Sequence, residues 1–320
     1  MKLIFLCSCI LVSYFPPLFA ADQWQPEPGR EQIRIWPSHP PDSAHKDIKE
    51  ETLAQSTKRI GGKPYQYIRN VSQPTMTVYS PKKNSGAAIL VFPGGGYKEL
   101  AIDVEGTEIC DWLVKANITC VLLKYRVPHS GCYWDEKTKT HVTPKVPLAL
   151  QDAQRTISSL RYHAKKYNID PNKIGVMGFS AGGNLAILSS TGFKKRSYSP
   201  IDEIDNMSSR PSFAIPVFPG HITMEHKNKS PQAVASRELN TDIKISEEVP
   251  PTLLVHAKDD PINPIYYSEL YEKELKKVGV EVKLKSYKTG GHAFGVRKQG
   301  KDTDRWTEDT LAWLKEIRVI

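Results

Sequence analysis

From Thr75 onward the chain switches repeatedly between short continuous apolar runs and longer stretches with a helical period. TMTVY (75–79), AAILVF (87–92), ITCVLLKY (118–125), KIGVMGF (173–179), SFAIPVF (212–218) and TLLVHA (252–257) have the composition of strands, most of them apolar enough to be buried on both faces. VEVKLKSYK (280–288) alternates instead, as a half-exposed strand does. Between them, Ile109, Trp112, Leu113 and Ala116 recur at helical spacing, and so do Leu150, Ala153, Ile157, Leu160 and Ala164. Ala181 to Ser190, PIYYSELYEKELKKVG closed by Gly279, and RWTEDTLAWLKEI supply three more helices. Strands alternating with helices predict parallel pairing: an α/β fold with a mostly parallel, doubly wound sheet and helices on both faces. Residues 66–320 read as one such domain, without an internal repeat or a linker. Residues 22–65 are polar and proline-rich, and are expected to form an extended arm with few regular elements. A long irregular stretch follows Tyr125 and ends at Pro147.

Composition changes this picture at the N-terminus. Lys2, the apolar LIFLCSCILV, Pro16 and Pro17, and the small residues Ala20 and Ala21 have the order of a secretory signal peptide, residues 1–21. The expectation is an exported, periplasmic or extracellular protein without stable membrane insertion, since no other run approaches spanning length. Beyond that segment only Cys110, Cys120 and Cys132 remain, an odd number without metal spacing. One pair plus a free thiol and three buried thiols both stay open. The net charge of +9 sits largely in short lysine-rich helix faces. No zinc-finger or RNP-like pattern accompanies it, so nucleic acid is not an expected partner. Sequons begin at Asn70, Asn117, Asn206 and Asn228 and matter only in a glycosylating host.

Ligands of such sheets bind beyond the carboxyl ends of the strands, so the residues following each strand carry the information. After AAILVF comes Pro93-Gly94-Gly95-Gly96-Tyr97. A dinucleotide fingerprint would need glycine at Glu99, and a phosphate loop would need Gly-Lys-Ser/Thr where Tyr97-Lys98-Glu99 follow, so neither reading fits. After KIGVM comes Gly178-Phe179-Ser180-Ala181-Gly182, a G-x-S-x-G pattern between a strand and a helix, the setting in which a serine hydroxyl is pushed out of the sheet as a nucleophile. Such a serine needs a base, and the expected order is Ser, acid, His. His256 lies inside TLLVHA and reads as a hydrogen-bonded core histidine. His292, in TGGHAF after the last strand, is the expected base. The acid is Asp259 or Asp260, directly after TLLVHA; the other is expected to cap its own turn. Gly95 and Gly96, with Ala181 after the nucleophile, are placed to donate N–H groups to a developing oxyanion. Asp152 and Arg155 are spaced for an ion pair on one helix.

These motifs together resemble the secreted α/β-hydrolases of the acetyl-xylan-esterase-like and feruloyl-esterase-like group. PGGGY with the following AIDVEG, Tyr125-Arg126-Val127-Pro128, GFSAGG and Gly291-His292-Ala293-Phe294 carry the resemblance, which spans roughly residues 70–320. In related hydrolases the acid heads a D-x-x-V-P-like stretch, and Asp260-Pro261-Ile262-Asn263-Pro264 fits that register, which favours Asp260. Pro93 stands where hormone-sensitive-lipase relatives carry histidine. The resemblance implies a serine carboxylesterase with Ser180, Asp260 and His292, acting without metal or organic cofactor on short-chain, acetyl-type esters, with those of plant oligo- or polysaccharides as the expected substrates. A short-chain lipase-like carboxylesterase and a serine peptidase of the same fold remain open, as does, in a different class, an inactive binding module. Tyr97 would line the acyl pocket or pack on the arm. Tyr133 and Trp134 would offer a platform to a sugar ring or cover the core.

Overall fold

In a computed structural model of the protein, residues 24–42, 51–127, 148–223 and 238–320 are described, with the backbone alone at 133–135 and 140–142. Residues 1–21, expected to be a signal peptide, and Cys132 lie outside the described residues, and so does Asn228. The apolar runs become strands. In chain order they are β1 (Ile33–Arg34), β2 (Thr52–Ile60), β3 (Lys63–Arg69), β4 (Thr75–Tyr79), β5 (Ala88–Phe92) and β6 (Glu99–Leu100). Then follow β7 (Thr119–Lys124), β8 (Tyr133–Asp135), β9 (Thr140–Val142), β10 (Ile174–Phe179), β11 (Ala214–Val217), β12 (Thr252–Ala257) and β13 (Val282–Tyr287). The helices are α1 (Glu108–Lys115), α2 (Leu148–Tyr162), α3 (Ala181–Thr191), α4 (Tyr266–Lys277) and α5 (Trp306–Glu316).

Eight strands form one sheet in the order β1-β4-β7-β5-β10-β11-β12-β13. The six strands from β7 to β13 pair in parallel, while β4 and β1 add antiparallel at one edge. Burial on both faces explains the continuous apolar runs: every residue of β5, β7, β10 and β12 is buried. The strand period of two sends neighbours to opposite layers. Leu254 packs with Ile187 of α3 and Tyr271 and Leu275 of α4, while Leu253 and Val255 join the cluster containing Trp313 and Leu314 of α5. Trp112 of α1 meets Trp306 of α5 at 5.0 Å between ring centres, so these two helices share a layer.

The N-terminal region is more regular than its composition predicts. β2 and β3 form an antiparallel hairpin around Gly61 and Gly62, both at positive φ (55° and 75°). That is the geometry of a two-residue turn matched to strand twist, and Gly-Gly between two polar-alternating runs is its signal in the letters. β3 also pairs with β6, just after the triple glycine, so a boundary at residue 65 cuts through a strand. Residues 24–42 contribute β1 to the edge of the sheet and bury Trp24, Ile35 and Trp36.

Two side-chain pairings differ from expectation. Asp152 and Arg155 do not pair with each other: Asp152 binds Arg126 at 2.8 Å and accepts from Trp36 Nε1 at 2.9 Å. Arg155 instead reaches Asp202 and Asp205 (2.6 and 3.0 Å). Both residues are buried, and each is aimed by packing at a partner remote in sequence rather than along its own helix. Cys110 and Cys120 form a disulfide that links α1 to β7.

Candidate active site

The segment after β10 turns sharply because its glycines let backbones touch. A Cβ on Gly178 would lie 1.9 Å from the Gly182 carbonyl oxygen, and one on Gly182 would lie 2.1 Å from that of Phe92. Ser180, at the apex, adopts φ 53° and ψ −113°, a strained conformation for a residue with a Cβ. α3 begins immediately afterwards, with its N-terminal N–H groups beside the serine.

His292 arrives on the loop after β13, whose Gly291 and Ala293 also take positive φ. Its Nε2 stands 3.1 Å from Ser180 Oγ, and its Nδ1 stands 2.7 Å from Asp260 Oδ2. A carboxylate can only accept, so Nδ1 carries the proton and Nε2 presents a lone pair to the serine hydroxyl. Asp260, at the end of β12, is buried. Burial opposes its charge, but hydrogen bonds from the His256 and His292 side with the Asn263 N–H outweigh that and hold its carboxyl well below the usual carboxylate range.

The two aspartates divide their work differently from the expectation. Asp260 itself caps the turn, accepting from Ile262 N and Asn263 N at 2.8 and 3.0 Å. Asp259 does not cap locally; it reaches across to the histidine loop and accepts from Gly291 N at 2.7 Å. His256 is fully buried, as its place in an apolar run requires, between Ser268 Oγ (2.8 Å) and the Asn263 carbonyl (2.9 Å).

In the glycine loop the Gly94 N–H is already taken, donating to Glu105 Oε2 at 2.8 Å. Among the described residues, the N–H groups of Gly95, Gly96 and Ala181 make no hydrogen bond. Tyr97 is enclosed, 2% exposed, and donates its hydroxyl to Asn184 Oδ1 of α3 at 2.7 Å. Through this bond it anchors the glycine loop to α3. Tyr133 and Trp134 belong to the β8–β9 hairpin, but their side chains lie outside the described residues. Among the described residues, no group of three His, Cys, Asp or Glu side chains is placed to hold a metal ion, and no helix is long and apolar enough to cross a membrane.

The prolyl oligopeptidase family matches residues 149–318, more than half of the chain. The chain is an α/β-hydrolase of the prolyl oligopeptidase family. A second family, BD-FAE, matches residues 76–217 of this hydrolase. An acetylxylan esterase of Xylanibacter ruminicola is 31% identical over 257 residues, which cover 76% of this chain and 48% of that protein. The hydrolase spans about half the length, or less, of the curated relatives it first matches. Among solved structures, an acetyl ester-xyloside bifunctional hydrolase from Caldicellulosiruptor lactoaceticus is similar with a TM-score of 0.66 and 29% identity, covering 91% of this chain and 97% of that one. An esterase of Thermogutta terrifontis shares the fold at a TM-score of 0.59 and 21% identity, covering 78% of this chain and 89% of that one.

Three further residues of this hydrolase border the site without having been singled out from the sequence. Phe218, just past β11, sets its ring 4.7 Å from both the His292 and the Phe294 rings. Tyr125, at the end of β7, donates its hydroxyl to the Pro93 carbonyl at 2.6 Å. It holds the loop at Pro93, and burial with the nearby Glu105 pushes its own pKa far up, so it stays a donor. Glu105 is 2% exposed. Burial pushes its carboxyl up to about 7, against the opposing pull of His292 and the Gly94 N–H. A glutamate amid Ile102, Val104 and Gly106, next to an apolar helical stripe, was the available signal.

Proposed function

We propose that this α/β-hydrolase is a serine carboxylesterase that removes acetyl groups from acetylated xylan-type oligo- or polysaccharides, acting outside the cytoplasm. The observation that carries the reading is the hydrogen-bonded chain from Ser180 through His292 to Asp260, with distances of 3.1 and 2.7 Å. The substrate class draws on the relatives named for acetylxylan and acetyl-xyloside hydrolysis. Export draws on the N-terminal signal-like segment and on the Cys110–Cys120 disulfide, a bond that persists in oxidising compartments.

In this reading, His292 Nε2 takes the Ser180 proton as Oγ attacks the acetyl carbonyl. The tetrahedral oxyanion is met by the N–H groups of Ala181, Gly95 and Gly96, which are not engaged elsewhere among the described residues. Asp260 keeps the ring oriented and stabilises the imidazolium. The imidazolium then protonates the departing sugar oxygen, leaving an acetyl-enzyme. Water, deprotonated by the same imidazole, releases acetate and restores Ser180.

The test is turnover of p-nitrophenyl acetate and acetate release from acetylated xylan by wild type and Ser180→Ala. Loss of activity of about a thousandfold or more is expected in the variant. Equal background rates for both proteins would overturn the esterase reading in favour of a binding module. The prolyl oligopeptidase match favours one second reading, peptide hydrolysis by the same residues. Cleavage of a Gly-Pro p-nitroanilide without acetate release would select it.

A further inference from the structure

The mechanism above leaves Glu105 without a task. It sits in a wide helical turn, Asp103–Thr107, in which the Thr107 N–H reaches back five residues to the Ile102 carbonyl at 2.9 Å. Such turns shift the helical register by one residue and recur at functional sites. Here the turn buries Glu105 and delivers its carboxyl to the loop after β5. The fit is close: a Cβ on Gly94 would lie 2.5 Å from Glu105 Oε2 and 3.1 Å from Ser180 Cβ. The carboxyl and the nucleophile's own residue thus both lie against Gly94 of the glycine loop.

Fastening the loop does not by itself require a charge. Tyr125 holds the Pro93 carbonyl, and Tyr97 ties the loop to α3. A buried carboxylate costs desolvation that a glutamine would avoid, while a charged acceptor binds an N–H roughly twice as strongly as a neutral one. We propose that Glu105 is a positioning residue: its carboxylate holds the Gly94 N–H and thereby aims the Gly95 and Gly96 N–H groups at the substrate oxygen, and the hold weakens when the carboxyl takes up a proton. The proposal rests on the esterase reading of the site.

The groups facing the carboxyl are His292 from the loop after β13, Tyr125 from the end of β7, and Asp103 on its own turn. Tyr125 stays neutral, and Asp103 is also pushed up by burial. With Glu105 titrating at about 7, the loss of its proton strengthens the hold on Gly94 and adds to the rise of the rate from the acid side.

The experiment compares wild type with Glu105→Gln, which keeps the volume and a neutral acceptor. For p-nitrophenyl acetate, kcat of the variant at pH 8 is expected to fall about tenfold, a fraction of what losing an oxyanion donor costs, with KM within about twofold. The ratio of wild-type to variant kcat should rise with pH through about 7, from near one on the acid side to about tenfold at pH 8. Independently of turnover, the Gly94 amide proton resonance should move with pH through about 7 in wild type and stay fixed in Glu105→Gln. A variant kcat at pH 8 within twofold of wild type, or a stationary wild-type Gly94 resonance, overturns the proposal. Failure of the esterase reading shows separately, as one background rate for wild type and Ser180→Ala, and the Gly94 titration then decides the proposal alone.

Discussion

At the residue scale, the adjacent aspartates Asp259 and Asp260 separate two kinds of support for one histidine. Asp260 accepts from the ring, and Asp259 accepts from the backbone of the loop that carries the ring. Asp260→Asn keeps the shape but removes the charge that favours the imidazolium and the correct tautomer, so kcat should fall by roughly 10⁴-fold. Asp259→Asn still offers a carbonyl oxygen to Gly291 and should lose no more than about tenfold, a weakened neutral hydrogen bond. Steady-state kinetics on p-nitrophenyl acetate check both, and the reverse ranking would show the register to be wrong. That one of the two neighbours meets the His292 ring was legible from their place after an apolar run. That the other braces the histidine loop was not, because the two loops meet only when β12 and β13 lie side by side.

At the element scale, much of the site's rigidity comes from elements distant in sequence. Arg297, just past the histidine loop, binds Glu108 at 2.7 Å and Asp103 at 3.2 Å, and donates to the Lys63 and Pro64 carbonyls of the hairpin. The β2–β3 hairpin, the wide turn that carries Glu105 and the His292 loop are therefore fastened together. The hairpin escaped a reading based on apolar runs because its strands are mostly exposed or half-buried; only the Gly61-Gly62 turn announces it. On the same side of the molecule the disulfide closes α1 onto β7, with ten residues of separation between Cys110 and Cys120. Cross-linking so short a loop limits the unfolded chain modestly, by about 2–3 kcal/mol. Replacing both cysteines by serine should lower the free energy of unfolding in urea by about that amount. An unchanged midpoint would show that packing of α1 alone holds this edge.

At the scale of the whole molecule, one buried carboxyl should leave a mark on global stability. Folding raises the Glu105 carboxyl from 4.5 to about 7, so the folded state keeps this proton to a higher pH than the unfolded chain. Its contribution is therefore fully present below pH 4.5 and is lost as pH rises through about 7, by roughly 3 kcal/mol in all. Glu105→Gln should be more stable than wild type at pH 8 and close to it at pH 5, by urea denaturation at both values. A difference that does not change with pH would contradict the burial of the charge. The same residue is then costly to the fold and useful to the site, a combination expected where charge is kept inside for chemistry.

The amino-acid sequence by itself determined the layers and the edge on which the site lies. Strand and helix periods are local, and so are the sharp turns of Gly178 to Gly182 and Gly290-Gly291. Together they put Ser180, Asp260 and His292 after the strand ends that a mostly parallel sheet brings to one side. What only the tertiary structure decided is which distant groups meet there. Glu105 meets Gly94, Tyr125 meets Pro93, Phe218 backs His292, Arg126 rather than Arg155 takes Asp152, and Cys110 joins Cys120. Spacing along the chain carries no information about such pairs. Their distances follow from the register of neighbouring strands and from side-chain packing between layers, which every other residue of the core helps to set.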